Sequence, residues 1–478
     1  MEYKNVLKAI KEYVIDSSNI DTNFSYLSCN SKDIKENTLF ICKGITFKEE
    51  YLKESIKKGV NCYISEIKYN VDIPYILVSD IRKTMAILSA KFFPDNLFKI
   101  AVTGTKGKTT TTTFIHNILN NYTKSKTGYI STIDLYTGKR HEESHNTTPE
   151  SIDLHKYLNE MQESNIKYMC MEVSSQAEKQ NRIFGMSFDI GAFLNIGLDH
   201  ISELEHKDFN DYFSCKLNFL KKCKKVFIYR QEPRYEEIVK EVKDKEIITF
   251  GFTKDCNYYV KDIVKENGIT FTVISNKEET YHINMLGNFN IINALCAIAI
   301  AKELNIDYKD IKKGLEETKV LGRMNIFKSN TTVIVDYAHN ALSAENFYKS
   351  VKEDFKNKKI KVVFGCPGDR GINRREEMGT LAGLYADYIY LTSEDPQTKD
   401  PNEICKEISK YIEKYNKPYE IIIDRKTAIE KAIETSDEND LVAVLGKGDE
   451  EYQLINNKYV YYESDIKVVE NTLNKIKE

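Results

Sequence analysis

The 478-residue chain has no tryptophan, no apolar run near the roughly 18 residues that span a bilayer, and no Cys-x-x-Cys pair. The missing tryptophan, beside abundant lysine, asparagine, isoleucine and tyrosine, points to an AT-rich genome and says nothing of mechanism. The second absence argues against membrane insertion. Residues 1–16 read as a charged, helix-like segment without the apolar core of a signal peptide. The ten cysteines are scattered, which fits reduced thiols in the cytoplasm better than a disulfide framework or a zinc site. No long basic stripe is present, and with a net charge of −3 nucleic acid is disfavoured as the main partner. Neither an internal repeat nor a low-complexity segment interrupts the chain.

What is present is alternation. At about 150 residues per domain the length suggests three domains, and short apolar runs alternate with helical patterns throughout. Residues 38–42, 61–65 and 75–79 read as strands, and 48–58 and 81–92 as helices, before a break at Phe93-Pro94-Asp95. Residues 168–173, 189–195 and 225–229 have the short, continuous apolar character of buried parallel strands. A hairpin is expected from 268–274 and 280–286, and a buried helix at 290–304. After Gly322 a further set of strands (332–337, 361–365, 388–392, 419–424 and 441–445) predicts a second parallel sheet. The predicted architecture is α/β, with three domains in series.

The most informative stretch is Ile100-Ala-Val-Thr-Gly-Thr-Lys-Gly-Lys-Thr-Thr110. An apolar strand runs into a turn with two glycines, Gly104 and Gly107, and then into a threonine-rich segment, 110–119, that can begin a helix. Glycines let backbone N–H groups approach phosphate, and a helix N-terminus adds partial positive charge. Lys108 can reach the outer phosphates of ATP and the Thr109 hydroxyl can ligate Mg2+. Val102 stands where the general phosphate-loop pattern has its first glycine, and a plain turn with solvated lysines is the bland alternative.

Other polar residues gather at strand ends, where open α/β sheets bind ligands. Glu172 ends an apolar run and can reach a metal near the loop, or can belong to a cap region with Ser174 or Ser175. His200, in Asp199-His200, is either a metal ligand or a structural loop histidine. From spacing alone Lys216 is an ordinary helical lysine. Asp336-Tyr337-Ala338-His339, Asp369-Arg370, Asp395-Pro396 and Gly446-Lys447-Gly448 complete this edge.

Taken together these segments resemble the Mur ligases, in the family's order and over nearly the whole chain. The resemblance rests on Gly104–Thr110, Asn146-Thr147-Thr148-Pro149, Glu172-Val173-Ser174-Ser175, and Phe193-Leu194-Asn195 with Asp199-His200 and Lys216. It continues through Gly287-Asn288-Phe289-Asn290 with Asn293, Gly322-Arg323-Met324 and Asp336-Tyr337-Ala338-His339. Phe364-Gly365-Cys366, Gly368-Asp369-Arg370, and Gly446-Lys447-Gly448 with Glu450 and Tyr452-Gln453 close the set.

The resemblance implies a small N-terminal UDP-sugar-binding domain (1–92), a central P-loop ATPase-like domain (93–323) and a C-terminal Rossmann-like, amino-acid-binding domain (324–478). It implies a cytoplasmic, monomeric, ATP-dependent ligase of peptidoglycan synthesis that joins UDP-N-acetylmuramoyl-L-Ala-D-Glu to a free amino acid through an acyl phosphate. By this likeness Gly104, Thr105, Lys106, Gly107, Lys108, Thr109, Thr110, Asn293, Arg323, Asp336 and His339 hold ATP, the C-terminal domain closing onto it. Lys108, Glu172, His200 and Lys216 are catalytic, and Thr109, Glu172, His200 and Lys216 surround Mg2+, with Lys216 carrying a CO2-derived carbamate. Ser31, Thr147, Thr148, Ser174, Gln180 and Arg182 hold the UDP-sugar-dipeptide, and Arg370, Asp395, Gln397, Gly446 and Glu450 the amino acid.

The sequence departs from the pattern in places. Glu394-Asp395-Pro396-Gln397 stands where diaminopimelate-adding members have Asp-Asn-Pro-Arg. A neutral amide does not replace a guanidinium that grips a carboxylate, so L-lysine is favoured over meso-diaminopimelate, with Arg374 or Arg375 as possible substitute cations. Asp449 replaces a histidine, Gln176 another, and Asn30-Ser31-Lys32 replaces Asp-Ser-Arg. The alternatives are a ligase of the poly-γ-glutamate type, one of the folylpolyglutamate type, which Gly107-Lys108-Thr109-Thr110 in place of Gly-Lys-Gly-Ser argues against, and a non-catalytic nucleotide-binding homologue.

Overall fold

A computed structural model describes the chain except for residues 45–46, 125, 145, 199–200, 202–204, 267, 321, 370 and 478, and the side chain of Lys477. The chain divides into two compact units. One comprises Met1–Lys261, Val273–Glu279 and Asn293–Leu315; the other comprises Asp262–Thr272, Thr280–Ile292 and the chain from Glu316 onward.

The first unit holds two sheets. The smaller one orders Val14–Ser17, Tyr75–Val78, Cys62–Ser65, Thr38–Ile41 and Tyr26–Ser28, parallel except for the antiparallel Val14–Ser17 edge. The predicted 1–16 helix is thus cut short: the helix is Tyr3–Ala9, and Val14–Ser17 is a strand. Leu39, Ile41, Cys62, Ile64, Ile76 and Val78 bury one face of this sheet against Ile81, Met85 and Leu88 of the helix Ile81–Phe92. Asp80 caps that helix by accepting from Lys83 N–H at 3.0 Å. Ile152, the second residue of the helix Ser151–Glu163, completes the same core from much later in the chain.

The larger sheet centres on the phosphate-loop strand Phe98–Thr103. Tyr168–Glu172 and Phe188–Phe193 flank it in parallel, followed outward by Gly128–Ile130 on one side and Cys223–Tyr229 and Glu246–Gly251 on the other. These central strands are apolar on both faces because helices cover both. Asp134–Tyr136 and His141–Glu143 add an antiparallel margin. The expected hairpin is present as Ile269–Ile274 and Glu278–Ile283, with Ser275 N–H donating to Lys277 C=O across the turn at 3.0 Å.

In the second unit a six-stranded sheet runs Asn325–Lys328, Thr332–Asp336, Asp440–Leu445, Lys359–Phe364, Tyr388–Leu391, Tyr419–Ile421. All pairs are parallel except the first. Carboxyl ends of parallel strands therefore carry both predicted edges: Thr103, Glu172 and Phe193 in one unit, Asp336, Phe364, Leu391 and Leu445 in the other. Among the described residues no helix is long and apolar enough to cross a membrane.

Candidate active site

The strand Phe98–Thr103 ends, two glycines turn the chain, and the helix Lys108–Thr123 begins. Gly107 caps that helix at φ +85°, a left-handed conformation that favours glycine. A Cβ at this position would stand 2.2 Å from Asn293 Oδ1, so the loop also needs glycine for space. Asn195, at the end of the neighbouring strand, locks the turn: its Oδ1 accepts from Lys106 N–H at 2.9 Å and its Nδ2 donates to Lys106 C=O at 3.0 Å. Lys108 Nζ donates to Gly104 C=O at 2.9 Å and to Thr105 C=O at 3.2 Å. Thr109 and Thr110 are buried at the helix start.

Lys216 lies on the helix Phe209–Lys221, 2 % exposed, and reaches the same loop: its Nζ donates to Gly104 C=O at 2.8 Å. Four residues earlier, on the same helical face, Tyr212 puts its ring 4.7 Å from that ammonium. Its hydroxyl shares a 3.0 Å hydrogen bond with Thr105 Oγ1, which also accepts from Gly197 N–H at 3.0 Å. Tyr212 is thus part of the loop's support, a role no motif announces, although its i−4 spacing from Lys216 is the signal that was available.

Glu172 stands opposite Val102 on the adjacent strand and is fully buried. Its Oε1 accepts from Thr132 N–H at 2.8 Å and its Oε2 from Thr132 Oγ1–H at 3.1 Å. Thr148 Oγ1–H donates to Glu172 C=O at 3.0 Å and accepts from Ser174 N–H at 3.1 Å. Ser174 caps the next helix by accepting from Ala177 N–H at 3.2 Å, so the cap that the segment allowed is present. Thr132, which the sequence did not single out, also shares a 3.1 Å hydrogen bond with Thr147 Oγ1, whose hydroxyl is the donor because that of Thr132 is turned to the carboxylate.

Gln180 and Arg182 follow that helix. Arg182 donates to Thr148 C=O at 2.7 Å and to Gln180 Oε1 at 2.9 Å, and pairs with Glu150 at 3.0 Å. Lys43 of the smaller sheet's edge pairs with Glu150 at 2.5 Å. Burial works to raise the Glu150 carboxyl, but Lys43, Arg182 and Arg82 outweigh it and hold it below the usual range. Ser31 is apart from this group, donating to Glu54 at 3.1 Å. His200 lies outside the described residues, as does Arg370.

In the second unit Arg323 stacks on the Tyr337 ring at 4.2 Å. Asp336 accepts from Met324 N–H and Ala338 N–H, each at 2.8 Å, and His339 Nδ1–H donates to Tyr337 C=O at 2.9 Å. Tyr337 O–H donates to Glu450 at 2.7 Å, and burial together with that carboxylate pushes the phenol well above its ordinary value, keeping it a donor. Lys447, 1 % exposed, bridges Glu450 at 2.5 Å and Asp395 at 3.0 Å. Glu394 beside them is pushed up to about 8 by burial and then by Asp395. Gly446, at φ +116°, leaves room for it: a Cβ there would come within 3.0 Å of Glu394 Oε2.

Gln397 sits in this group at φ +54°, buried, its Oε1 accepting from Asp369 N–H at 2.6 Å and its N–H donating to Leu454 C=O at 2.8 Å. Of the two arginines weighed as substitute cations, Arg375 is committed elsewhere. It is buried and donates to Gly368 C=O at 2.5 Å, to Pro367 C=O at 3.3 Å and to Glu407.

A parallel sheet feeding a glycine turn and a helix N-terminus, with two lysines on the turn, defines a phosphate-loop α/β protein that binds a nucleoside triphosphate. Residues 102–301 match the family model "Mur ligase middle domain" and 322–448 the model "Mur ligase, glutamate ligase domain". The chain is 37% identical over 475 residues to the UDP-N-acetylmuramoyl-L-alanyl-D-glutamate–L-lysine ligase of Streptococcus mutans, covering 97% of this chain and 95% of that one. It is 38% identical over 458 residues to the ligase of the same name from Streptococcus thermophilus, covering 94% and 93%. A solved structure of a UDP-N-acetylmuramoyl-L-alanyl-D-glutamate–2,6-diaminopimelate ligase has the same fold, with a TM-score of 0.67 at 23% identity and coverage of 100% and 99%. The chain belongs to the Mur ligase family, the ATP-dependent amide ligases of peptidoglycan synthesis.

Proposed function

We propose that this enzyme adds L-lysine to UDP-N-acetylmuramoyl-L-alanyl-D-glutamate, in the cytoplasm and as a monomer, with domains divided at residues 92 and 323. The observation that carries the choice of amino acid is Gln397. Its neutral carboxamide is turned onto Asp369 N–H, and Arg375 is held by Glu407, so neither supplies a guanidinium for a distal carboxylate. The relatives bearing the L-lysine name agree with this reading. Asp395 and Glu450 offer acid to a cationic side chain, with Lys447 offsetting part of it.

The chemistry is a two-step ligation. The γ-carboxylate of the D-glutamyl residue attacks the γ-phosphorus of ATP, ADP leaves, and the amine of the amino acid then displaces phosphate from the acyl phosphate. Lys108 and the N–H groups of residues 104–110 offset charge on the phosphates. Asn293, Arg323, Asp336 and His339 are assigned to the nucleotide. Thr147, Thr148, Ser174, Gln180 and Arg182, with Ser31, orient the UDP-sugar-dipeptide, and Asp395, Gln397, Gly446, Glu450 and Arg370 orient the amino acid.

The donor set fits a hard cation. Thr109 offers a buried hydroxyl, and Glu172 a carboxylate already oriented by two hydrogen bonds from Thr132. A carbamate on Lys216 would replace a cation by anionic oxygens, and His200 completes the group. Mg2+ held there would neutralise phosphate charge.

The test is ADP release by purified protein with UDP-N-acetylmuramoyl-L-Ala-D-Glu and, in turn, L-lysine, meso-diaminopimelate, L-ornithine and no amine. Turnover is expected with L-lysine and to be abolished in Lys216→Ala, whose ATP affinity stays near wild type. Use of diaminopimelate alone refutes the reading of Gln397; normal turnover in Lys216→Ala refutes the carbamate; no release with any amine refutes the function.

A further inference from the structure

His206 is a fully buried imidazole that the ligation chemistry leaves without a task. It lies ahead of the helix that carries Lys216, and both ring nitrogens are engaged. Nδ1 faces the Asp211 carboxylate at 3.2 Å, which accepts only, so the proton is on Nδ1. Nε2 shares a 2.9 Å hydrogen bond with Ser175 Oγ, a hydroxyl that is itself buried. His206, Asp211 and the Cys215 thiol lie within 4.8 Å of one another, but a metal there would have to displace these bonds and the Lys179–Asp211 pair at 2.6 Å. The arrangement is better satisfied as an Asp–His–Ser chain.

Two paths leave this imidazole, and both arrive at the reacting edge. Ser175 is the first residue of the helix capped by Ser174, whose N–H is held by Thr148, whose own hydroxyl holds the Glu172 carbonyl. On the other side the ring meets Tyr212 edge-on at 5.2 Å, and Tyr212 carries Thr105 on its hydroxyl and the Lys216 ammonium over its face. Asp211 is fixed in turn by Lys179 and by Lys207 N–H at 3.2 Å.

We propose that His206 is a positioning residue of the ligation: by bridging Ser175 and Asp211 it holds the Glu172 strand end and the Lys216 helix in register across the phosphate loop. It touches no reacting atom. This rests on the reading of Glu172 and Lys216 given above. The consequence is specific. A displacement of about 1 Å among reacting groups costs on the order of a hundredfold in rate, whereas nucleotide affinity comes from the loop backbone and Lys108, which His206 does not hold directly. Its loss therefore lowers kcat and leaves KM for ATP alone.

The experiment compares His206→Leu, His206→Gln and Ser175→Ala by thermal unfolding and by steady-state kinetics in ATP, amino acid and UDP-sugar-dipeptide. Leucine fills the space without hydrogen bonding; glutamine can still reach Ser175 Oγ. The expected result is a kcat reduced tenfold to a hundredfold in His206→Leu, with KM for ATP within twofold, a reduction of several-fold in Ser175→Ala, and substantial recovery in His206→Gln. A folded His206→Leu with wild-type kcat overturns the proposal, and so does a loss confined to KM or one that glutamine does not relieve. Should His206→Leu fail to fold, Ser175→Ala, which removes one hydroxyl, decides alone: wild-type kcat there refutes the bridge. Normal turnover in Lys216→Ala would instead show the underlying reading of the site to be wrong, whatever the His206 variants do.

Discussion

Gly107→Ala perturbs the phosphate loop at the one position where backbone and space both demand glycine. At φ +85° the backbone costs an alanine about 1–2 kcal/mol. Lower entropy of the unfolded chain returns roughly 0.4–1 kcal/mol of that. The added Cβ would lie 2.2 Å from Asn293 Oδ1 and 3.2 Å from Leu194 Cδ1. Asn293 is buried, so its carboxamide cannot swing into solvent, and displacing it adds about 1 kcal/mol or more. The net loss is about 2 kcal/mol, or roughly 3 °C in the unfolding temperature of a unit this size. Turnover should fall much further than stability, because the helix N-terminus that faces phosphate moves with the loop. The assay pairs thermal unfolding with ADP release, for Gly107→Ala alone and in an Asn293→Ala background. Removing the amide relieves the clash but not the backbone, so the second background should recover about half the stability. If Gly107→Ala melts and turns over like the parent, the loop is not constrained as argued, and the steric reasoning fails.

Acidification should weaken the first unit through His116 and His155, both pushed down to about 4, mainly by burial. Their folded values lie below the unfolded one near 6.5, so the stability they contribute is present at neutral pH and is lost as pH falls from about 6.5 towards 4. Between pH 7 and 5 this amounts to roughly 2 kcal/mol for each histidine; a urea midpoint equal at the two pH values contradicts it, and His155→Leu should flatten the dependence. In the second unit Asp465→Ala should cost about 3–5 kcal/mol, because it strands the fully buried Arg425, now held by Nε and Nη2 bonds of 2.8 and 2.7 Å. The exposed pair Lys426–Glu463 is the control, and equal denaturation shifts for Asp465→Ala and Lys426→Ala would show the buried pair to be unimportant.

The sequence was most legible where burial and periodicity coincide. Residues 81–92 were read as a helix and form one over Ile81–Phe92, and the expected strand at 332–337 is Thr332–Asp336. Strands without a continuous apolar run escaped notice. His141–Glu143 is exposed and charged, and Val14–Ser17 has no buried residue, so the charged helical pattern of residues 1–16 outweighed it. The antiparallel strand Asn325–Lys328 is half-buried and gave too weak an alternation to read. In the site, chain-local geometry was visible: Gly107, Lys108, Thr109 and Ser174 take the positions their spacing suggested. Thr132 and His206 were not visible, because each acts through a partner distant in sequence, Glu172 and Ser175, and Tyr212 showed its spacing from Lys216 but not its bond to Thr105. Hydrogen bonds that close only after the chain has folded leave no periodic trace.

The core of the smaller sheet is finished by Ile152, a residue some sixty positions beyond the end of that sheet's own helix. During synthesis the first ninety residues therefore leave the ribosome with one apolar seat unfilled, and it stays so until the loop strand, the helix Lys108–Thr123 and the strands through His141–Glu143 have followed. The ion pairs Lys43–Glu150 and Lys156–Asp33, at 2.5 and 2.6 Å, wait on the same stretch. The division proposed at residue 92 is thus not a place to cut: a fragment ending there would carry a greasy notch and two unmatched charges, and would be prone to self-association.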